Sequence, residues 1–142
     1  KEVDTSDSMY NALKERSKGV DTLIMAAAVS DFLPEQHAKK IRRETGCLHL
    51  ELRPSQDILS TLTREMSFKC VVGFCLQDNL DDGDIPIKKC KEKGCHVMVA
   101  NTSENFGSNT RRVRIYDKQG VCEAYDDVSL LQAGYAVLSK IR

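Results

Sequence analysis

Ala26, Ala27 and Ala28 end the apolar run TLIM, Asp31 follows them, and Lys39, Lys40, Arg42 and Arg43 then cluster around Ile41. Small residues at the end of a strand let a planar ligand approach the backbone without the entropic cost of glycine. A carboxylate just beyond can accept hydrogen bonds from hydroxyl or amino groups, or stand near a bound magnesium ion. A cation held by its loop neutralises phosphate and stabilises charge on a transferring phosphoryl group. Plainer roles stand beside each of these: alanines packed tightly under a helix, an aspartate bonding its own turn, and a solvated basic surface.

Two further stretches end in the same kinds of residue. KCVVGFC carries Gly73 and Phe74, and CHVMVAN ends at Asn101 before Phe106 and Gly107. Phe74 can stack on a base or sugar, and Asn101 offers a donor and an acceptor. Neither GxGxxG nor GxxxxGK[ST] occurs, so no glycine-rich phosphate cradle is present. GxSxG and HExxH are also missing, which leaves serine hydrolase and zinc protease chemistry without a basis.

The elements that must position these residues follow from periodicity. Thr5 caps a helix that places Met9, Ala12 and Leu13 on one face and stops at Gly19. Strands are expected over 21–28, 69–75 and 95–101, apolar throughout and therefore buried on both faces. CLHLELR, 47–53, alternates and predicts a half-exposed strand with Leu48, Leu50 and Leu52 on one side, stopped by Pro54. Residues 30–46 read as loop. Ser55 is the expected cap of a helix bearing Ile58, Leu59, Leu62 and Met66, and a shorter helix runs from Ile85 to Lys93. RRVRIYD and VCEAYD form a hairpin with Gly120 at its turn. A last helix from Val128 shows Val128, Leu131, Tyr135, Leu138 and Ile141 at helical spacing. Alternating helices and buried strands predict a single α/β domain over 1–142, and in such sheets ligands bind beyond the carboxyl ends of the strands.

Composition narrows the function. Lys plus Arg and Asp plus Glu each number 21 in 142 residues, so there is no net basic field for nucleic acid or acidic lipid. No apolar run approaches the roughly 18 residues of a membrane span, and the polar opening does not read as a signal peptide. A cytoplasmic location is expected. The six cysteines include no CxxC pair and make no ligand cluster with His37, His49 and His96, so neither zinc nor a disulfide is expected. The chain opens on Lys1 and reads as a fragment of a longer domain.

In order and spacing, AAAVSDF, KKI, PSQDIL, VVGF and VANTSENFGSNTRRV resemble the carboxy-terminal part of phosphopantothenoylcysteine synthetase, or phosphopantothenate–cysteine ligase. The resemblance implies a three-layer, Rossmann-like α/β fold with a mainly parallel sheet, lacking its amino-terminal strand–helix units, plus a carboxy-terminal hairpin and helix. It implies ligation of 4′-phosphopantothenate to cysteine through an acyl-nucleotide, with CTP or ATP as co-substrate and Mg2+, as a step of coenzyme A biosynthesis. By match, Ala27, Ala28, Asp31, Phe74, Asn101, Phe106 and Gly107 contact the nucleotide. Lys40 faces the triphosphate, and Lys89 and Lys93 lie in a flap over the site. Protein-held metal ligands are not assigned. A homodimer and a decarboxylase domain elsewhere in the full-length chain are also implied. The chain departs from the family pattern at Gln77, in place of Glu, at Asn109 and Arg111, in place of Asp and Asn, and at Ile87, in place of Arg. The alternative is a truncated or degenerate domain of the same fold that binds a nucleotide or a partner without catalysis.

Overall fold

The computed structural model describes residues 2–35, 39–40 and 46–141. Ile41, Arg42 and Arg43, read above as part of the basic patch, lie outside the described residues.

A five-stranded sheet forms the centre. Its strands are β1 (Thr22–Met25), β4 (Cys70–Leu76), β5 (Val97–Asn101), β6 (Arg111–Asp117) and β7 (Cys122–Val128), in that spatial order. β1, β4 and β5 run parallel, and β6 and β7 return antiparallel as the expected hairpin. Parallel neighbours need crossover connections, which here carry helices α2 (Ile58–Glu65) and α3 (Asp84–Glu92). These two helices and α1 (Ser6–Arg16) cover one face through Leu59, Leu62, Cys90, Met9 and Leu13. Helix α4 (Leu130–Leu138) covers part of the other through Ala133, Ala136 and Val137. The result is the three-layer α/β arrangement expected from sequence. Among the described residues no helix is long and apolar enough to cross a membrane.

Local chemistry explains most boundaries. Thr5 and Ser8 form a reciprocal capping box at α1, each accepting the other's main-chain N–H at 3.1 Å. Gly94, with φ +67°, ends α3 by adopting a left-handed conformation that side chains rarely tolerate. Gly73 lies where a Cβ would stand 2.9 Å from Cys95 Sγ and 3.1 Å from Met98 Cε, so no other residue fits without a shift.

Several expectations are corrected. β1 ends at Met25 rather than at 28, and Ile24 is exposed because α4 does not reach over this edge of the sheet. The 47–53 strand shrinks to β3 (Leu52–Pro54), and residues 30–46, read as loop, contain β2 (Phe32–Pro34). These two form a separate antiparallel ribbon in which Pro54 is the last residue of its strand, as expected, and still pairs with Phe32. A two-stranded ribbon tolerates proline because one side of each strand has no neighbour to bond. Leu48, Leu50 and Leu52 are all exposed, Leu50 by 55%, so their alternation covers nothing within the described chain. On α4 the middle of the stripe chosen by spacing faces outward, with Leu131 67% exposed and Tyr135 and Leu138 also open, while its ends, Val128 and Ile141, pack against the core. The buried face carries alanines because they let the helix lie close to the sheet. The helix starts at Leu130 with Ser129 as its cap, and Val128, where the spacing began it, is the last residue of β7.

Candidate functional site

The carboxyl ends of β1, β4 and β5 open into one cleft of about 490 Å³. Ala26 to Asp31 form one wall, Phe74 and Leu76 the floor, Asn101 and Phe106 the far side, and α2 and α3 close it. Asp31 and Phe74 therefore share one crevice, as the order of strand ends requires. Ala26, Ala27 and Ala28 are exposed beyond the end of β1. They are not packed under a helix, and their small size leaves the backbone open to a ligand.

The main chain of Asp31 is tied to Ser55. The expected capping residue instead donates its hydroxyl to the Ser30 carbonyl and its N–H to the Asp31 carbonyl, the latter at 2.8 Å. Capping passes to Asp57, whose Oδ1 accepts the Ser60 N–H at 3.0 Å. The amino terminus of α2, where the cap serves Ser60 and the N–H groups of Ile58 and Leu59 have no partner within the helix, thus opens on the cleft. Asp57 is the residue that sequence reading missed. Its place three residues before Ser60 signals a cap, but nothing in PSQDIL signals what its second oxygen does. That oxygen accepts from Lys93 Nζ at 3.0 Å. Burial raises the Asp57 carboxyl, but the Ser60 amide and the Lys93 ammonium outweigh it and hold the carboxyl below its usual range.

Lys89 and Lys93 stand one turn apart on α3 and its end, and both line the cleft. Burial pushes the Cys75 thiol up, while these two lysines pull the other way. The cleft is therefore electropositive along its α3 wall. Phe106 is 73% exposed at the rim. It follows a short 3-10 turn, Ser103–Asn105, whose Asn105 side chain bonds the main chain of Arg112.

Eight of the ten residues matched above line the cleft: Ala27, Ala28, Asp31, Phe74, Lys89, Lys93, Asn101 and Phe106. Lys40 is exposed and lies outside that lining, as does Gly107, whose φ of +73° serves the turn after Phe106.

Three of the four departures from the family pattern have a local account. Gln77 is buried, and with its amide oriented to satisfy both ends its nitrogen donates to the Asn79 and Asp82 carbonyls, at 2.9 and 3.3 Å. A carboxylate there would face two acceptors. Ile87 packs against the core and lies under the hairpin turn at Gly120. Arg111 folds back to donate to the carbonyls of Ser108 and Thr110. Nothing in the structure explains Asn109.

All six cysteines are free thiols. Burial pushes Cys90 up to about 11 and Cys95 to about 12, which keeps both protonated and unreactive. Among the described residues no three His, Cys, Asp or Glu side chains converge as a metal site.

Comparison with known proteins agrees with this geometry. The chain is 31% identical over 131 residues to a cysteine/cysteine sulfinic acid decarboxylase of an unidentified prokaryote, covering 88% of this chain and 36% of that protein. It is 28% identical over 144 residues to the coenzyme A biosynthesis bifunctional protein CoaBC of Bacillus subtilis strain 168, covering 98% and 35%. The chain thus spans about a third of the length of these relatives. Among solved structures it superposes on the C-terminal domain of a CoaBC protein with TM-score 0.75 and 26% identity, covering 98% of this chain and 62% of that one. A DNA/pantothenate metabolism flavoprotein from Streptococcus pneumoniae shares the fold with TM-score 0.84 at 19% identity, covering 99% and 71%. The family model of the DNA/pantothenate metabolism flavoprotein C-terminal domain matches residues 1–142, and the chain belongs to that family.

Proposed function

We propose that this domain forms the nucleotide and acyl-nucleotide site of a ligase that joins 4′-phosphopantothenate to cysteine in coenzyme A biosynthesis. One observation carries the reading: Lys89 and Lys93 face the same cleft as the open alanine backbone and the amino terminus of α2. Such a cleft suits a ligand with a flat, neutral part and a polyanionic tail.

The ligand would lay its base and sugar against Ala27, Ala28 and Phe74, with Asp31 accepting hydrogen bonds and Asn101, Phe106 and Gly107 bounding the base. The triphosphate would lie toward α2 and the two lysines, with Lys40 contributing charge from outside the lining. The phosphopantothenate carboxylate attacks the α-phosphorus, forming an acyl–oxygen–phosphorus bond and releasing pyrophosphate. The cysteine amine then attacks the acyl carbon, forming the amide and expelling the nucleoside monophosphate. The lysines act in the first step, where two anions must meet. CTP and ATP both fit these terms.

Magnesium typically binds through one or two carboxylates and substrate phosphates. The residues present fit such a nucleotide-borne ion: Asp31 lines the cleft and makes no ion pair among the described residues, whereas Asp57 is engaged by Lys93. The ion would supply neutralising charge on the phosphates.

The exposed apolar side chains of the β2–β3 ribbon support a homodimer. Phe32, Leu33, Leu50 and Leu52 form an arm that an isolated ribbon cannot bury. The relative named as a decarboxylase supports a decarboxylase domain elsewhere in the full-length protein, and a cytoplasmic setting suits these substrates.

The test is pyrophosphate release by the full-length protein with phosphopantothenate and either triphosphate. Release that requires phosphopantothenate is expected. Nucleotide binding with no release under either triphosphate would replace the ligase by a non-catalytic binding domain.

A further inference from the structure

We infer that Asp57 is a positioning residue whose second carboxylate oxygen fixes the direction of the Lys93 ammonium inside the cleft. For its catalytic consequence this rests on the ligase reading; for its structural content it rests on the contacts alone.

Helix α2 holds Lys93 at both ends. Its ammonium bonds Asp57 Oδ2 at 3.0 Å. Its carbonyl accepts the Thr63 hydroxyl at 2.9 Å, six residues further along the same helix. Gly94, directly after it, approaches Thr63 so closely that a Cβ would lie 2.9 Å from Thr63 Oγ1. The main chain of Lys93 is thus docked on α2 before its side chain is considered. A lysine stem has several free torsions, and an unpaired ammonium samples many positions. With the backbone docked and the tip bonded, Lys93 is left one direction. Lys89, one turn earlier and lining the same cleft, makes no ion pair among the described residues.

Asp57 is suited to this because its two oxygens divide the work. Oδ1 caps α2 through Ser60, which locks the carboxylate plane, and Oδ2 then points to Lys93. Serine would keep the cap and lose the second contact. The carboxylate also repels any anion in the cleft, so its presence does not serve ground-state binding. It costs affinity and gains alignment, which separates it from an ordinary binding residue.

The experiment uses the full-length protein with Asp57→Ser, Lys93→Ala and the double variant. Lysine acetylation by acetic anhydride, read by peptide mass spectrometry, reports whether Lys93 is held. In the parent Lys93 should react several-fold more slowly than Lys89, and in Asp57→Ser the two should react alike. Steady-state pyrophosphate release should show kcat reduced by about tenfold, within what contacting residues can couple, with nucleotide KM unchanged or lower. In the Lys93→Ala background, Asp57→Ser should then have no further effect on kcat. Unfolding midpoints near the parent's identify an intact cap. Unchanged acetylation overturns the proposal, and so do changed acetylation with parental kcat and fully additive kcat losses. A parent that never releases pyrophosphate but shows the acetylation change sinks the ligase reading and leaves the positioning of Lys93 standing.

Discussion

The Asn105 side chain bonds the main chain of Arg112 in both directions, Nδ2 donating to its carbonyl and Oδ1 accepting its N–H, each at 2.9 Å. The amide does both through two separate atoms, and a carboxylate in its place has no donor. This pair ties the turn after β5 to the start of β6 and sets where Phe106 meets the cleft. Asn105→Asp keeps the acceptor but turns the Arg112 carbonyl toward a carboxylate. We expect a loss of about 1–3 kcal/mol, the cost of an unsatisfied buried group, measured by urea unfolding, together with weaker nucleotide binding. Parental stability in Asn105→Asp would show that the turn is held by other contacts.

The pH dependence of folding should carry a histidine signature. His96 Nδ1 accepts the Val71 N–H at 3.1 Å, and burial first, then Lys118, hold its pKa below the ordinary 6.5. Above 6.5 both folded and unfolded chains hold a neutral imidazole, so the full stability is present. As pH falls below 6.5 the unfolded chain takes up its proton first, and stability drops until pH passes the lower folded value. Unfolding midpoints measured from pH 7.5 to 5.5 should fall for the parent. His96→Leu should be less stable at pH 7.5 and show a flatter profile. Equal slopes would remove His96 as the titrating group.

How much was legible depends on whether a residue's role is local. The caps at Thr5 and Gly94 and the strand cores of β4 and β5 were readable because backbone rules and unbroken apolar runs fix them. On α4, spacing shows that Leu131, Tyr135 and Leu138 share a stripe, but not which stripe meets the sheet. The small residues Ala133 and Ala136 win because the helix lies close, which only the assembled layers determine. The ribbon failed for a similar reason: FLP looked like turn chemistry, and β2 exists through its pairing with Leu52–Pro54. At the site, the strand ends announced Asp31, Phe74 and Asn101. Asp57 stayed hidden because its partner Lys93 is 36 residues away in sequence and only packing brings them together.

The ribbon gives a prediction about assembly. If β2–β3 is an arm covered by a second copy, Leu52→Glu should place a charge on the apolar surface and dissociate the dimer without unfolding the domain, since Leu52 contributes nothing to the core clusters. Sedimentation velocity of the full-length protein at micromolar concentration should show a dimer for the parent and a monomer for the variant, with equal melting temperatures. A parent that sediments as a monomer, or a Leu52→Glu variant that stays dimeric, would place the contact elsewhere or remove it.

The cleft lysines and the basic loop should separate by salt. Lys89 and Lys93 line the cleft, and Lys93 is paired and about two-thirds buried, its side chain 34% exposed. Lys40 is exposed and outside the lining. Charges in water are screened beyond about 10 Å at 0.1 M salt, and partly buried ones much less. Lys89→Ala and Lys93→Ala should therefore each lower pyrophosphate release more than tenfold, over about 1.4 kcal/mol of barrier, at low and high salt alike. Lys40→Ala should raise nucleotide KM several-fold at low salt, leave kcat near the parent's, and lose its effect by about 0.5 M salt, where the screening length is shorter still. Kinetics at two ionic strengths, with CTP and with ATP, supply the readout. A Lys40→Ala defect in kcat that persists in high salt would move this lysine into direct contact with the transferring phosphate. Parental turnover in Lys93→Ala would take the α3 wall out of the chemistry, since the cation best fixed in the cleft would then be doing nothing there.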